Sequence, residues 1–482
     1  MDRQAFGPLL TAAQDIADEL GLELFLVGGA VRDALLKRPV HDLDFVVNGP
    51  SDSIARALAN RLRGHFFILD SEHQTSRVIV PQVSDGLNER RNTLDFAAMR
   101  GDSIEDDLRS RDFTINAMAL RLASQPLRVI DPCGGRADLN DSVIRVVHDE
   151  SVINDPIRAL RAIRLALELG FSIDPFTAAL IREASPSIRS ISAERIRDEL
   201  FNLLALESAA EGIQMLGWSM LPYILPHHFS QQDSFNGQAS INRVSKVISS
   251  LDTVESTLAD QEWLFPPSTT GSAIAVTPGS IKQYLGRSLV YDRPADVMHH
   301  LVALCAASTL SSRISLTPKE LSTPLDDRAI DRMDQECETL KLSNAEKTYA
   351  RKITASLHLP FQLSIGINDL TQLEIYRYFR DTAGVGPEIC ILSLAFAELV
   401  PHPHSADWSV LVSTCHELLY HYWHSPKVIE PDMLVDGHDL MQTLSVEPGP
   451  RIGQLLEIIR EEQVKGTIST RDEAFSFLHD LN

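Results

Sequence analysis

Apolar and polar residues follow two different rhythms along this chain. Up to about residue 150, short apolar runs recur: ELFLV (23–27), LDFVV (43–47), FFILD (66–70), RVIVP (77–81) and TLDFAA (93–98). Runs of this length, rich in Val, Ile and Phe and bounded by polar turns, predict strands. Stretches such as AVRDALLK and SIARALANRLRG between them predict helices, and LLTAAQDIADELG predicts an amphipathic helix over residues 1–20 that stops at Gly21. Beyond Asp149 the spacing turns helical, first in DPIRALRAIRLALELG and ISAERIRDELFNLLAL. A looser region, Pro222 to Ser280, carries the loop signals FPPSTTGS and TPGS. Helical spacing then returns to about residue 425, and a last unit runs from VIEPDMLVDGHDLM to Asn482. The pattern predicts an α+β chain, with a mixed sheet at the head and helices behind it.

One run breaks its own rhythm. In HDLDFVV (41–47), Asp42 and Asp44 sit inside a strand pattern. On a strand they share one face about 6.5–7 Å apart, while Leu43 and Phe45 turn the other way into the core. Two such carboxylates raise each other's pKa unless a cation neutralises them. Mg²⁺ suits the place, because it takes oxygen ligands and keeps positions open for phosphates. A pair of metals ~3.5–4 Å apart activates a hydroxyl and holds a leaving group in line. Asp95 occupies a similar place in TLDFAAM and is the candidate third carboxylate if the two strands are neighbours. A plain polar edge strand would also give D-x-D, but its surroundings point to chemistry. In LFLVGGAVRDALL a strand runs into Gly28-Gly29 and a helix follows at once. The backbone there can approach a phosphate, and the helix start offers it free N–H groups. Arg32, in the first turn, adds a charge-assisted contact.

Charge changes the picture in one respect. The 482 residues carry a net charge of −22, which argues against generic polyanion binding. Residues 1–200 hold 24 Lys+Arg against 31 Asp+Glu, and the rest hold 20 against 35. Of those first 24, all but Lys37 are arginine, the residue suited to bidentate phosphate and base contacts. Local phosphate binding at the head is therefore compatible with an acidic whole. The five cysteines lie far apart without a C-x-x-C pair and read as reduced thiols of a cytoplasmic protein. The start MDRQAFGPLL lacks the pattern of a secretory signal. The longest apolar segment, ICILSLAFAELV (389–400), is shorter than the ~20 residues a bilayer needs.

LVGGAVRDALL followed by HDLDFVV resembles the head of class II tRNA nucleotidyltransferases and bacterial poly(A) polymerases. The likeness continues in order through DLRSRDFTINAMAL (107–120), DPCGGRADL (131–139), VIRVVHDESVINDPIRALRAIRLALELGF (143–171) and ERIRDEL (194–200). The resemblance implies that Gly29 and Arg32 hold the triphosphate and that Asp42 and Asp44 bind metal; Gly28, in the same turn, and Asp95 join the candidate site from the residue reading above. Arg111 matches the second arginine of the family's Arg-Arg-Asp motif, which binds sugar and phosphate; Ser110 replaces the first. Asp131 and Gly135 fall in a hinge-like segment. Asp155 and Arg158 match the pair that reads the base edge of CTP or ATP, although Asn154 stands where the family has Glu. The residues agree: cytosine and adenine both present an amine donor beside a ring-nitrogen acceptor, which a carboxylate and a guanidinium complement. Pro156 suits the first helical position after a capping Asp155. Arg158, Arg161 and Arg164 cover a ~120° arc, opposite Leu160, Ile163 and Leu167, and are expected to face a cleft. A solvated helix face is the alternative.

The implied architecture is a nucleotidyltransferase-type mixed-sheet head (1–148), then an all-α neck (149–220), body (221–425) and tRNA-gripping tail (426–482). The implied activity is template-independent, Mg²⁺-dependent transfer from CTP and ATP to the 3′ end of tRNA, that is, CCA addition. CC-adding, A-adding and poly(A) versions stay open, and a non-catalytic RNA-binding relative is the contrasting class. LKLSNAEKTYARKITASLHLP (340–360) resembles the region where relatives carry a His-Asp phosphohydrolase domain. Beyond residue 220 the only His-Asp pairs are His438-Asp439 and His479-Asp480, both in the last unit, so the body reads as a degenerate scaffold, with His299, His300 and His358 structural. CHELLYH (415–421) misses a zinc motif, because His416 and His421 lie ~140° apart on a helix. EPGPRIGQLL reads as a turn opening a helix towards an RNA phosphate.

Overall fold

The computed structural model describes residues 7–40, 42–70, 74–81, 91–123, 128–229, 237–259, 280–290, 293–310, 317–365, 369–397, 406–444 and 447–481. The chain forms two compact units, Met1–Ile191 and Ser192–Asn482.

The first unit opens with α1 (Gly7–Leu20), β1 (Leu24–Val27), α2 (Gly29–Leu35), β2 (Asp42–Val47), α3 (Ser51–Leu62), β3 (His65–Asp70), β4 (Thr75–Pro81) and β5 (Arg91–Ala98). It continues with α4 (Ile104–Arg109), a 3₁₀ turn (Thr114–Asn116), β6 (Ala119–Arg121), β7 (Val129–Ile130), α5 (Gly135–Asp141) and β8 (Val143–Ile144). The helices α6 (Glu150–Asn154) and α7 (Ile157–Leu169), the short β9 (Ser172–Ile173) and α8 (Pro175–Ala184) follow. All five strands expected from the apolar runs are present.

Seven strands form one sheet in the order β3-β4-β5-β2-β1-β6-β7. β2 and β5 run parallel, while β1 pairs antiparallel with β2 and β4 antiparallel with β5. Alternation assigns the two faces. Leu43, Phe45, Leu94 and Phe96 are buried on the back, where the Phe45 and Phe96 rings stack at 4.8 Å and α3 packs. On the front, Phe25, Val27 and Val46 join Ile104, Leu108, Ala117 and Ala119 in a second apolar cluster. That cluster stops short of Asp42 and Asp44, which leaves the N-terminal half of β2 open on its front face.

The second unit is almost entirely helical. The region expected to be loose contains a 23-residue helix, Gly237–Ala259. Its Ser, Thr and Val content disguises it, but Ile241, Val244, Ile248, Leu251 and Leu258 keep a helical stripe and are buried. The FPPSTTGS segment lies outside the described residues, as do residues 1–6 and His41. The helix Ala295–Leu310 packs against Gly237–Ala259 and buries His299 and His300. The last helices close over their own small core of Val435, Leu440, Ile459, Ile468, Ala474 and Leu478. Among the described residues no helix is long and apolar enough to cross a membrane.

Candidate active site

One rung of the sheet carries the chemistry. Phe67, Arg77, Asp95, Asp44 and Val27 are consecutive register partners across β3, β4, β5, β2 and β1. Directly paired residues project to the same side, so these side chains form one row on the front face. Arg77 grips both oxygens of Asp95 at 2.8 Å, through Nε and Nη2. Its guanidinium is held more firmly protonated by that hydrogen-bonded contact.

Asp44 is the strained member of the row. Burial pushes its carboxyl up to about 6, and the nearby Asp95 and Asp42 add to the rise. Arg111 and Arg77 oppose it without cancelling it. Two oxygen-donor side chains crowded in this way fit a divalent cation, whose charge would return Asp44 to its ionised form. Asp42 and Asp44 are the residues that would hold it. Asp95 has its own counter-ion in Arg77, and among the described residues no group of three or more His, Cys, Asp or Glu is gathered for a metal. The front of the sheet therefore offers Asp44 in the row, Asp42 two residues before it on β2, and Asp95 held beside Asp44 by an arginine.

The turn before α2 faces this row. Gly28 has φ +69° and ψ −140°, a conformation that favours glycine. A Cβ there would lie 3.3 Å from Arg111 Nη1 and 3.5 Å from Asp44 Oδ2. Gly28, Asp44 and Arg111 thus converge on one point. Arg111 is set in place by Asp107, whose Oδ2 accepts from Nε and Nη2 at 3.1 Å. Asp107 is buried and also accepts from the Arg100 N–H. Ser110 does not replace a guanidinium; its hydroxyl donates back to the Asp107 carbonyl and finishes α4.

Arg32 is buried and turned away from the row. It donates to both Asp33 oxygens and, at 2.9 Å, to Asn116 Oδ1. Its guanidinium still passes beneath the turn, 3.5 Å from where a Gly29 Cβ would stand. Asn116 donates on to Asp112, which pairs with Arg161 at 3.3 Å. A polar chain so joins α2 to α7 through the 3₁₀ turn.

The Asp155-Arg158 pair stands at the start of α7. Asp155 is the joint between α6 and α7, with φ −140° and ψ 86°. Its carboxylate lies beside Arg158, with Oδ2 3.6 Å from Nε. Arg158 Nη1 donates to Ser151 Oγ at 2.7 Å and to the Arg111 carbonyl at 3.3 Å. Burial lowers the Arg158 pKa from its ordinary value. Along the arginine stripe, Arg161 pairs with Asp112 and Arg164 with Glu168 on its own helix. Asn154 Nδ2 donates to Glu150 at 3.5 Å. Asp131 accepts from the Gly135 and Arg136 N–H groups and caps α5. A Cβ on Gly135 would sit 2.2 Å from the Thr114 carbonyl oxygen, so this corner admits only glycine.

Sequence reasoning passed over Arg77, Asp107 and Ser151. Arg77 carried a signal: a charge inside an apolar run, the same anomaly that marked Asp44.

Three family models match in chain order: the poly A polymerase head domain over residues 24–145, the RNA and SrmB binding site of polymerase A over 170–231, and tRNA nucleotidyltransferase domain 2 over 328–478. A CC-adding tRNA nucleotidyltransferase of Synechocystis sp. is 31% identical over 461 residues, covering 95% of this chain and 93% of the relative. This chain belongs to the CCA-adding tRNA nucleotidyltransferase and poly(A) polymerase family. A CC-adding enzyme of Geobacter sulfurreducens is 29% identical over 98% of this chain and 95% of its own length. The solved CCA-adding enzyme of Bacillus stearothermophilus in complex with CTP shares the fold, with a TM-score of 0.65, 21% identity and coverage of 99% and 97% of the two chains. That of Thermotoga maritima complexed with tRNA gives 0.61 at 21% identity, covering 100% and 97%. Nucleotidyltransferases of this family transfer nucleotides to RNA 3′ ends with the help of metal.

Proposed function

We propose that this chain builds the CCA end of tRNA from CTP and ATP, with Mg²⁺ held by Asp42 and Asp44. The observation that carries the reading is the convergence of Gly28, Asp44 and Arg111 beside Asp95. The Gly28 turn receives the triphosphate close to its backbone, where no side chain intervenes. Arg111, fixed by Asp107, meets its charge. Asp42 and Asp44 hold the metal, which supplies a lowered pKa to the RNA 3′-hydroxyl and charge for the departing pyrophosphate. Asp95, held by Arg77, orients that hydroxyl. Asp155 accepts from the exocyclic amine of C or A and Arg158 donates to the ring nitrogen, so no nucleic-acid template is needed. In this reading residues 1–148 are the catalytic head, 149–220 the nucleotide-selecting neck, 221–425 the body and 426–482 the tail that contacts tRNA. Five free cysteines support a cytoplasmic setting.

A second reading has its own observation: two relatives that match nearly the full chain are CC-adding enzymes, while a third, of Deinococcus radiodurans, 28% identical over 94% of both chains, is A-adding. The same experiment decides between them. tRNA lacking its CCA end and tRNA ending in CC are incubated with Mg²⁺ and labelled CTP, ATP or both. Extension of both substrates to a full CCA end supports the first reading. Extension of the first alone, by two C residues, supports the second. No incorporation by folded protein overturns both.

A further inference from the structure

The rung that carries Asp44 and Asp95 continues outward to Arg77 and then Phe67, and neither end residue has a part in handling the triphosphate. Phe67 lies on the edge strand β3 and is 48% exposed. Ile68 and Leu69 on the same strand are exposed too, at 56% and 49%, so β3 presents an open apolar edge beside the Arg77–Asp95 pair, with Phe67 the ring of it that lies in the row. Its place in the row says what the ring is for. The Gly28 turn and Arg111 lie on the β1 side of Asp44, and the triphosphate occupies that side. Attacking and leaving oxygens stand roughly in line, so the hydroxyl must arrive from the opposite side, over β5, β4 and β3.

We propose that Phe67, with Arg77 beside it, forms the subsite that receives the 3′-terminal nucleotide of the RNA acceptor. This rests on the function proposed above. Two strand spacings separate Asp95 from Phe67, about 10 Å, a distance that one nucleotide spans with its hydroxyl at Asp95 and its base over the ring. Asp95 engages Nε and Nη2 of Arg77, which leaves Nη1 for the terminal phosphate or a base edge. Stacking on an aromatic ring suits this ligand in particular. The terminal base changes after every addition, and a ring accepts any base because each has a π face.

The test uses the full-length protein in EDTA, so that no chemistry occurs, and a tRNA transcript lacking CCA whose last base is 2-aminopurine. Binding to the wild type should change the 2-aminopurine fluorescence. Phe67→Ala and Phe67→Leu should abolish the change, and Phe67→Tyr should keep it. In the Mg²⁺ assay, Phe67→Ala should raise KM for tRNA roughly tenfold while KM for CTP moves less than about twofold. An unchanged fluorescence response in Phe67→Ala overturns the proposal. So does a variant whose sedimentation differs from the wild type while its fluorescence response does not, which would make the edge a contact between two copies. If the wild type incorporates neither CMP nor AMP, the proposed function has failed, and the fluorescence comparison still decides the stacking.

Discussion

Arg77 and Asp95 face each other on antiparallel strands, with both carboxylate oxygens held at 2.8 Å by one guanidinium. The pair does more than neutralise itself, because Arg77 also lowers the Asp44 pKa while Asp95 raises it. Replacing Arg77 by Gln leaves Asp95 as an uncompensated neighbour, so Asp44 should hold its proton to higher pH. The expected outcome is a pH–rate profile whose acid limb moves to higher pH, with activity reduced more at about pH 6.5 than at about pH 8. Arg77→Lys keeps the charge and should restore most of the limb's position. A uniform loss at all pH values in Arg77→Gln would show that the arginine acts only on sheet geometry.

Asp44 itself links pH, metal and stability. Its folded pKa of about 6 lies above the ordinary 3.8. The proton is therefore held more tightly in the folded state. That stabilising contribution is complete below about pH 4 and is lost as pH rises through about 6. At neutral pH the metal-free protein carries the cost of an ionised, crowded carboxylate. Asp44→Asn should stabilise the metal-free protein at about pH 7 by about 1–3 kcal/mol, read by chemical denaturation, and abolish nucleotide transfer. Affinity for Mn²⁺, followed by its electron spin resonance signal, should be flat above about pH 6 and fall towards tenfold per unit below it. Affinity that ignores pH down to about 5 would remove Asp44 from the metal site.

The second unit offers a titration of the same sign at higher pH. Burial works against protonation of His300, yet the hydrogen bond to Asp252 at 2.8 Å, the nearby Glu255 and the Asp296 carbonyl together raise it to about 9. A histidine raised above its ordinary 6.5 stabilises the fold fully below that pH and loses the contribution as pH rises through about 9. All four tryptophans lie beyond residue 191, so their fluorescence reports this unit. Urea midpoints should fall between about pH 6.5 and 9, by on the order of 2–3 kcal/mol, and His300→Gln should flatten the slope. His299 would not substitute, because it bonds Glu255 and the Glu388 carbonyl instead.

The legible parts of this molecule are those whose signal is local. Strand alternation placed Asp42 and Asp44 on one face, and Gly28-Gly29 announced a turn that only glycine accepts. The neighbourhood of Asp44 and Asp95 depended on strand order, which the apolar runs do not carry. Arg77 was hidden for the same reason: RVIVP shows a charge, but only the antiparallel register to β5 shows what it faces. The joint at Asp155 was obscured because two helix ends meet there. Pro156 marks the start of α7, but the pattern does not show that α6 ends at the same place, with Asp155 extended between them and its carboxylate 3.6 Å from Arg158 Nε. Helix Gly237–Ala259 was lost to weak propensity, which burial of one face overrides.

Nucleotide choice should depend on how Arg158 is held as much as on its charge. Ser151 Oγ and the carbonyls of Ser110 and Arg111 engage its Nη atoms and fix the fork relative to Asp155. Lysine at this position would keep a positive charge but offer a single point donor without the planar fork. Arg158→Lys should therefore lower kcat/KM for CTP far more than it lowers that for UTP. The C-over-U preference should fall by roughly 5–150-fold, the range a lost bidentate base contact implies. Asp155→Asn should relax the same preference, since a side-chain amide can turn either polarity towards the base. Ser151→Ala removes one anchor and leaves both reading groups, so a smaller loss in the same direction is expected. Selectivity that survives Arg158→Lys intact would mean that the base edge is read elsewhere on the head.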